Sequence, residues 1–387
     1  MIYIHIPFCR SFCTYCDFYS EVASGCRKAE ESVLFEEYGR AVAAEALARR
    51  TEITDETKTL YIGGGTPSVL PLSVFKTILD ALVWSGHGGP YDEFTVEVNP
   101  DDIVDKGPSY VEGLLRMGVT RVSMGVQSFD DGILRWMNRR HDSDAARKAY
   151  HILEDSGVPD ISIDLIFGLT QLSDKRWKET LESALDISSK GNLPHHISSY
   201  QLSVEPGSAL AKLVEKGLWQ EAPDDLCSTQ YGVLCETLAS AGYHHYEISN
   251  FALPGHEAMH NSAYWKHVPY VGLGPGAHSL LCSERDGFLR QWNASDLNSY
   301  LEAFHTGNFQ SVTESETLTS DQFVLEHIML ALRTSEGLPA AYLERHSTHS
   351  ALSSALSAGN LINLPSGNIR IPEERFFISD SIISDII

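Results

Sequence analysis

The 387-residue sequence has no long apolar run, since none approaches the ~20 residues that a membrane helix needs. It also lacks the basic and then apolar opening of a secretory signal, because Met1 leads directly into the strand-like residues 2–6. Internal repeats and low-complexity tracts are absent as well. We therefore expect a cytoplasmic protein without stable membrane insertion.

Basic residues are scarce: Lys and Arg number 29 against 52 Asp and Glu, and no basic block offsets the net charge of −23. Surfaces that bind nucleic acid or anionic membrane neutralise phosphates with clustered cations, so we expect no nucleic-acid partner. Hydrophobic residues at 43% and charged residues at 21% are close to globular averages. Because single cores stop growing near ~250–300 residues, the length predicts a large domain and a smaller one.

Cysteine is too scattered for a disulfide framework. The chain has seven, an odd number, and only three crowd together near the N-terminus, which suggests a metal site in a reducing compartment. The other four lack neighbours at ligand spacing and receive no role: Cys26, Cys227, Cys235 and Cys282.

Short β-branched runs alternate with helical patterns up to about residue 205, which is typical of βαβ units and a parallel sheet. The predicted strands are residues 2–6, 58–62, 93–98, 120–126, 160–166 and 196–202. The predicted helices between them are residues 28–50, 72–83, 110–117, 144–156 and 174–187. The predicted fold class is α/β, an incomplete (β/α)6 barrel that is open at one side.

Beyond residue 205, two helical patterns precede an irregular stretch rich in His, Gly, Pro and aromatic residues. A helical run over residues 320–332 and a hairpin-like tail around residues 364–369 then predict a small separate domain. The predicted division is a partial barrel over 1–240, a connecting segment over 241–305 and a C-terminal domain over 306–387.

Each predicted strand ends in chemically unusual residues. In chain order these are the cysteine loop, Gly63-Gly64-Gly65, residues 97–100, Gln127, Asp164 and Gln201. In a (β/α) barrel the carboxyl ends of the strands converge on one rim and build the active site. We therefore expect these six features to meet in space.

Cys9, Cys13 and Cys16 have C-x3-C-x2-C spacing, tight enough for one loop to wrap a single inorganic cluster. Three thiolates for four irons leave one iron open. S-adenosylmethionine (SAM) can chelate that iron, and an electron from the reduced cluster can then cleave its sulfonium bond. The alternatives are a zinc site, for which no second knuckle exists, and a thioredoxin-like pair, which would not need Cys9.

Further motifs carry a family resemblance. They are G-G-G-T-P (63–67), M-G-V-Q-S-F (124–129), N-R-R-H (138–141), D-L-I-F-G-L (164–169), S-V-E-P-G (203–207) and E-H-I-M-L-A-L-R (326–333). Together with the cysteine spacing they resemble the radical SAM superfamily and, within it, the oxygen-independent coproporphyrinogen III oxidase family, especially its HemW haem-chaperone branch. The similarity covers essentially the whole chain and implies a radical SAM barrel with a small C-terminal helical, winged-helix-like domain.

The resemblance also implies a [4Fe–4S] cluster on the three cysteines, with SAM beside it. The residues that it assigns to the cofactor are Tyr3, Tyr15, Gly64, Gly65, Thr66, Glu97, Gln127, Arg139 and Asp164. Their types suit this, because glycine lets the backbone approach a ligand, carboxylates accept from ribose or amino groups, and Arg can clamp a carboxylate. Taken singly, each is also common as a surface, cap or buried-strand residue.

The histidine-rich segment contains H-N-S-A-Y-W at residues 260–265, which resembles the haem-chaperone branch. His260 could supply an axial imidazole while Tyr264 and Trp265 cover a macrocycle. The alternative is a packed, hydrogen-bonded structural histidine. Weaker candidates of the same kind are His244, His245, His256 and His267, and His278 in a glycine-rich turn receives no role.

The resemblance implies a haem chaperone that transfers haem to apoproteins, with an electron donor such as a flavodoxin or ferredoxin. The alternative is the oxidase itself, a radical enzyme that decarboxylates porphyrinogen propionates. Two departures count against it: Phe18 stands where the oxidase motif has a further cysteine, and the oxidase carries an N-terminal extension before its motif. A third class, a radical enzyme that acts on nucleic acid or protein, would need a basic face or an RNA-binding module, which the net charge of −23 does not favour. We assign no catalytic residue.

Overall fold

The computed structural model describes residues 1–22, 28–54, 57–283 and 287–387, so Cys26 lies outside the described residues. The strands are β1 (Ile2–Ile6), β2 (Phe8–Cys9), β3 (Glu21–Val22), β4 (Thr59–Gly64), β5 (Glu93–Val98), β6 (Arg121–Gln127), β7 (Asp160–Phe167), β8 (His196–Gln201), β9 (His244–Glu247), β10 (Asn250–Ala252), β11 (Val271–Leu273), β12 (His278–Ser283), β13 (Gly287–Asn293), β14 (Thr313–Thr317), β15 (Leu338–Pro339), β16 (Ile362–Asn363) and β17 (Asn368–Arg370). The α-helices are α1 (Lys28–Ala48), α2 (Leu72–Trp84), α3 (Pro100–Lys106), α4 (Pro108–Arg116), α5 (Asp131–Trp136), α6 (Ser143–Asp155), α7 (Asp174–Leu185), α8 (Ala209–Glu215), α9 (Asp224–Ser240), α10 (Met259–Trp265), α11 (Leu297–Thr306), α12 (Ser320–Ala331), α13 (Ala340–His346), α14 (His349–Ser357) and α15 (Ser379–Ile386).

A nine-stranded sheet organises the chain, in the order β11-β1-β4-β5-β6-β7-β8-β10-β9. β1 and β4 to β8 are the six predicted strands, and each runs parallel to its neighbour. β11 joins β1 in parallel at one edge, while β10 and β9 add an antiparallel pair at the other. Across the described ranges the two edge strands do not pair with each other, so the predicted open barrel is confirmed.

The parallel strands are buried along nearly their whole length; in β6 only the last residue, Gln127, is half-buried. Strands that are covered on both faces appear in a sequence as near-continuous apolar runs, which is why these six strands could be predicted. Helices α5, α6 and α7 begin at side-chain caps, where Asp130, Asp142 and Ser173 accept backbone N–H bonds. The short helices α3 and α5 were not predicted, because one or two turns are too few to show a helical period.

The prediction that the segment after the two helical patterns, up to residue 305, is an irregular stretch was wrong. This segment holds β9, β10, α10, β11, β12, β13 and α11, and three of these strands belong to the main sheet. Strands of three or four residues are too short for alternation to be visible. The division of the chain at residues 240 and 305 therefore stays a proposal.

The C-terminal region is mainly helical, as predicted. Helix α12 begins with a capping box in which Thr319 and Gln322 bond reciprocally. The short strands β15, β17 and β16 form a separate three-stranded sheet at the predicted hairpin. In the part of the chain that the structure describes, no helix is both long enough and apolar enough to cross a bilayer.

A buried carboxylate joins α1 to the β11 edge of the sheet. Glu45 is 1% exposed and accepts hydrogen bonds from Asn293 Nδ2 (2.7 Å), the Gly274 amide (2.8 Å) and Tyr300 Oη (2.6 Å). Arg49 lies 3.1 Å from the same carboxylate and donates to the Gly272 carbonyl at 2.7 Å. These partners lie 223 to 255 residues away along the chain, so the network holds a late segment against the first helix.

We predict that Glu45→Ala destabilises the protein by roughly 3–5 kcal/mol, because it removes the carboxylate that accepts from three buried donors and one of the two carboxylates paired with the buried Arg49 guanidinium. Urea unfolding measures this free energy. The control is Glu36→Ala on the same helix, where a half-exposed Glu36 is 4.0 Å from Arg40, and there we expect a change below about 0.5 kcal/mol. Equal effects of the two substitutions would contradict the structural role of Glu45.

Candidate functional site

The carboxyl ends of the parallel strands surround a cavity of about 390 Å³. All six strand-end features predicted from the sequence contribute to its wall, from the cysteine loop to Gln201. Of the residues predicted to hold cluster or cofactor, those that line the cavity are Cys9, Cys13, Tyr15, Cys16, Gly64, Gly65, Thr66, Glu97, Gln127, Arg139 and Asp164. Tyr3 and His260 do not line it.

The cysteine loop is held in place by the turn that follows α5. The Thr14 amide donates to the Met137 carbonyl (3.1 Å), and Thr14 Oγ1 donates to the Trp136 carbonyl (2.9 Å). Asn138, in the left-handed region with φ 59°, donates from Nδ2 to the Phe12 carbonyl at 2.7 Å. The N-R-R-H motif thus begins with a residue that fixes the loop between the first two cysteines.

The three thiols lie close enough to influence one another. Burial raises the pKa of Cys9, and burial with the nearby Cys13 and Cys9 raises the pKa of Cys16 to about 12. Arg139 Nη1 donates to Cys13 Sγ at 3.4 Å, and Cys9 Sγ lies 3.4 Å from Thr66 Oγ1. Burial thus favours the thiols of Cys9 and Cys16, whereas the Thr66 hydroxyl and the Arg139 cation favour the thiolate of Cys9, the form that binds metal.

A cluster and a single zinc ion place different demands on the three sulfurs. Two Zn–S bonds of about 2.3 Å hold their sulfurs within about 4.6 Å of each other. The three cysteines are not among the described groups whose ligand atoms all lie within 4.8 Å of one another. In a cubane each iron takes its own thiolate, so a cluster does not require all three sulfurs within that distance.

The glycine run beside the loop has no room for side chains. A Cβ on Gly65 would lie 2.7 Å from the Phe8 carbonyl oxygen, and one on Gly64 would lie 2.7 Å from the His5 ring. Gly64 also has a φ of 109°, which L side chains rarely adopt. Its amide donates to Glu97 Oε2 at 3.1 Å, so the run brings bare backbone to the cavity wall.

Two carboxylates line the cavity from β5 and β7, the strands on either side of β6. Glu97 accepts from Tyr61 Oη at 2.6 Å, and Asp164 accepts from Ser123 Oγ at 3.0 Å. Burial raises the pKa of Glu97 to about 7, with a further contribution from the charge of Asp164, and burial raises the pKa of Asp164 to about 6. Both groups can therefore accept hydrogen bonds from a cationic or hydroxylated ligand at neutral pH.

Arg139 and Gln127 complete the wall. Arg139 Nη2 donates to the Gly125 carbonyl (2.6 Å) and to Asn99 Oδ1 (2.7 Å), while its buried Nε has no partner in the described structure. Gln127 has a φ of 66°, next to an irregularity in the pairing of β6 with β7. Strained backbone and an unpartnered buried donor are features of ligand sites.

The two remaining predicted residues lie in an aromatic cluster behind the cavity. Tyr3 Oη contacts His5 Nδ1 at 3.0 Å, and the Tyr3 and Tyr61 rings are 6.1 Å apart. His260 is fully buried, with Nδ1 2.8 Å from Thr59 Oγ1 and Nε2 3.0 Å from Tyr264 Oη. Burial lowers its pKa to about 3, so the ring is neutral. This is the environment of a packed, hydrogen-bonded histidine, and ligation would require one of these bonds to break.

Residues 3–184 match the model of the radical SAM superfamily. Heme chaperone HemW of Synechocystis is 34% identical over 341 residues, which are 88% of this chain and 79% of that protein. Heme chaperone HemW of Bacillus subtilis is 31% identical over 87% of this chain and 84% of its own length. The chain belongs to the HemW family of radical SAM proteins.

Coproporphyrinogen III oxidase (HemN) from Escherichia coli has a similar structure, with a TM-score of 0.78 over 99% of this chain and 89% of that chain. At 19% identity this likeness shows the fold alone. Membership of the radical SAM superfamily implies a [4Fe–4S] cluster and SAM. The donor set of the cavity fits both, since it offers three thiols, bare glycine backbone, two carboxylates and an arginine.

Sequence reasoning missed several cavity residues of this HemW family member. Tyr61 was one, although it precedes Gly63 by two positions on β4 and so shares its face. Asn99 belongs to the predicted strand-end feature of residues 97–100 but was assigned no role; its Nδ2 donates to Thr66 Oγ1 at 3.3 Å and its Oδ1 accepts from Arg139. Asn138 and Asn261 also line the cavity; they lie in the motifs N-R-R-H and H-N-S-A-Y-W, but the sequence reasoning assigned neither of them to the site.

We predict that Cys13→Ser abolishes the cluster, because a serine hydroxyl does not replace a thiolate on iron. Iron and sulfide analysis and electron paramagnetic resonance (EPR) after anaerobic reconstitution and reduction measure the loss. Cys235→Ser is the matched control, since Cys235 lies outside the cavity wall, and it should keep a full cluster. A Cys13→Ser protein that still forms a redox-active cubane would contradict the assignment of Cys13 as a cluster ligand.

Glu97 gives a pH prediction. Its folded pKa of about 7 lies above the unfolded value of 4.5, so the fold favours the protonated form and loses stability as pH rises between those values. The melting temperature of wild-type apoprotein minus that of Glu97→Gln should therefore fall from about pH 5 to about pH 8. Glu112→Gln, at a half-exposed carboxylate, is the control and should give a flat difference. A rising difference for Glu97 would show that the sign is wrong.

Proposed function

We propose that this chain is a haem chaperone that binds a [4Fe–4S] cluster and SAM at the strand-end cavity and passes haem to apoproteins. The observation that carries the proposal is the similarity to Heme chaperone HemW proteins, at 31% to 34% identity over most of both chains. The arrangement of the cavity supports the cluster and SAM part of it. An electron donor such as a flavodoxin or ferredoxin, and a cytoplasmic location, belong to the same proposal.

Cys9, Cys13 and Cys16 would hold the cluster, and SAM would supply reductive cleavage of its sulfonium bond when bound beside it. Arg139 places a positive charge beside the cysteine loop through its 3.4 Å contact with Cys13, which suits the negative charge of sulfur bound to iron. The same guanidinium holds Asn99 and through it Thr66, so the loop and the glycine run keep a fixed distance. Its unpartnered Nε is suited to a carboxylate oxygen.

The other proposed SAM contacts divide by chemistry. Gly64, Gly65 and Thr66 present backbone at close range, where a methionine moiety needs space and carbonyl or amide partners. Glu97 and Asp164 present acceptors suited to amino or ribose hydroxyl groups. Gln127 and Tyr15 form part of the cavity wall beside them. Tyr3 does not reach the cavity, so it would affect SAM only through its contact with the Tyr61 ring, which lines the wall.

The oxidase function is the second candidate, favoured by the similarity of fold to HemN. That likeness does not extend to chemistry at 19% identity. Phe18 stands where the oxidase motif has a further cysteine, and it is 65% exposed at the cavity rim. The residue that would accompany the cluster in the oxidase is therefore replaced by an apolar group with no ligand atom.

The test is to add haem, and separately coproporphyrinogen III with SAM and reductant, to anaerobically reconstituted protein. We expect stoichiometric haem binding by difference absorption, transfer of that haem to an apoprotein, and no conversion of the porphyrinogen. Bovine serum albumin at the same concentration controls for non-specific haem adsorption. Formation of protoporphyrinogen would establish the oxidase instead, and absence of haem binding would remove the chaperone.

A further inference from the structure

Three side chains of metal-ligand type meet at the edge of the sheet opposite the strand-end cavity: Asp160, His195 and His256. Asp160 is the first residue of β7 and His195 directly precedes β8, so both lie at the amino ends of strands whose carboxyl ends line the cavity. One ligand atom from each of the three residues lies within 4.8 Å of the other two. None of the three lines the strand-end cavity, so the cluster site does not explain them.

The two imidazoles present the same nitrogen to one carboxylate oxygen. His256 Nδ1 lies 2.8 Å from Asp160 Oδ1, and His195 Nδ1 lies 3.7 Å from it. The two rings are stacked, with centroids 4.5 Å apart and planes 9° from parallel. A single His–Asp contact is a common structural pair, whereas two parallel rings that approach the same oxygen bring three donor atoms around one point.

The lone pairs that a metal needs are available on both rings. The Ile161 amide donates to His195 Nδ1 at 3.3 Å, so this nitrogen holds a lone pair rather than a proton. A metal ion would replace that long contact. Because a carboxylate only accepts, His256 donates to Asp160 from Nδ1, and the neutral ring frees this nitrogen by moving its proton to Nε2.

The distances are close to those that a bound ion requires. Metal bonds of about 2.0–2.2 Å in a tetrahedral arrangement place two ligand atoms about 3.3 Å apart. The two distances to Asp160 Oδ1, 2.8 and 3.7 Å, lie on either side of this value. The three side chains are 26% to 33% exposed, so their rings and carboxylate have room to shift and an ion can enter from solvent.

The backbone beneath the two histidines is fixed by a turn over residues 253–256. The His256 amide donates to the Leu253 carbonyl at 3.0 Å, and Gly255 follows Pro254 with a φ of 85°, as in a type II turn. The Leu253 amide donates in turn to the His195 carbonyl at 2.9 Å. The turn therefore holds His256 in register with His195 and preorganises the two rings.

Arg121 is a neighbouring cation that a metal ion would have to tolerate. Its Nη1 lies 3.7 Å from Asp160 Oδ1 and donates to the His256 carbonyl at 3.2 Å, while its buried Nη2 has no partner in the described structure. A separation of 3.7 Å is too long for a direct hydrogen bond. Asp160 Oδ1 therefore keeps a lone pair for a metal, and Arg121 fixes the turn beside it.

We propose that Asp160, His195 and His256 bind a divalent transition-metal ion such as zinc, with water in the remaining position. Two imidazoles and one carboxylate are a donor set for such ions, whereas Mg²⁺ and Ca²⁺ favour oxygen ligands. The site shares no ligand with the cluster and does not depend on haem binding. A bound ion joins the starts of β7 and β8 to the turn that precedes α10, the helix that carries the H-N-x-x-Y-W motif.

Zinc binding to the full, cluster-loaded chain tests the site. After gel filtration in metal-free buffer, equilibrium dialysis followed by inductively coupled plasma mass spectrometry counts zinc and iron separately. We expect one zinc ion per wild-type chain, also in excess Mg²⁺. We expect at least roughly tenfold weaker zinc binding in His256→Gln, His195→Gln and Asp160→Asn, since each removes a direct ligand.

The matched control is His244→Gln. His244 is a more exposed histidine that contacts Glu257, and its variant should bind zinc like the wild type. Zinc should raise the melting temperature of the wild type and of His244→Gln but not that of the three ligand variants. In metal-free buffer all of these chains should melt together, which separates loss of a ligand from loss of the fold.

X-ray absorption at the zinc edge identifies the ligands directly. Zinc-loaded wild type should show nitrogen and oxygen near about 2.0 Å with imidazole scattering, and no sulfur near about 2.3 Å. Zinc that is lost in Cys13→Ser but retained in His256→Gln would instead lie on the cysteines and overturn the proposal. Equal zinc binding by the wild type and the three ligand variants, or no stoichiometric zinc in the wild type, would also overturn it, and neither result bears on haem binding.

Discussion

The site depends on the geometry of a parallel sheet. Strands that all run the same way place their carboxyl ends at one edge, and six of them here surround a single cavity. The cysteine loop follows directly from β1 and β2, so its thiols face that edge without a long connection. Residues separated by most of the barrel, such as Cys13 and Arg139, then meet within hydrogen-bonding distance.

The position of the cysteine loop is set by uncharged hydrogen bonds to its backbone and by a charged contact to one of its thiols. Asn138 and Thr14 fix its backbone through three hydrogen bonds to the turn after α5. Arg139 acts on the thiol itself and on the Gly125 carbonyl of β6. One short segment therefore both shapes the loop and tunes its electrostatics, which explains why its residues occur as a contiguous motif.

Helix α10 has a comparable role, because it lies between the strand-end cavity and a smaller cavity beside α12. It starts beside Glu93 of β5, whose carboxylate accepts the Met259 amide (2.7 Å) and the His260 amide (3.0 Å). Its middle packs His260 against Tyr61, with ring centroids 5.1 Å apart, and Tyr61 in turn donates to Glu97. Its end brings Tyr264 and His267 to the smaller cavity. The helix thus connects the central sheet to the C-terminal region through packed, hydrogen-bonded side chains.

The amino-acid sequence by itself determined the six parallel strands, the cysteine spacing and the strand-end residues. The reason is local: apolar runs, short motifs and their order along the chain are properties of neighbours. It did not disclose the short strands β9 to β11, because three or four residues show no period. The sequence also could not distinguish His260 from His267, because both are histidines among aromatic residues. Only the tertiary structure separated them, because the burial and the partners of each ring nitrogen come from residues distant in the chain: Thr59 for His260 and Glu326 for His267.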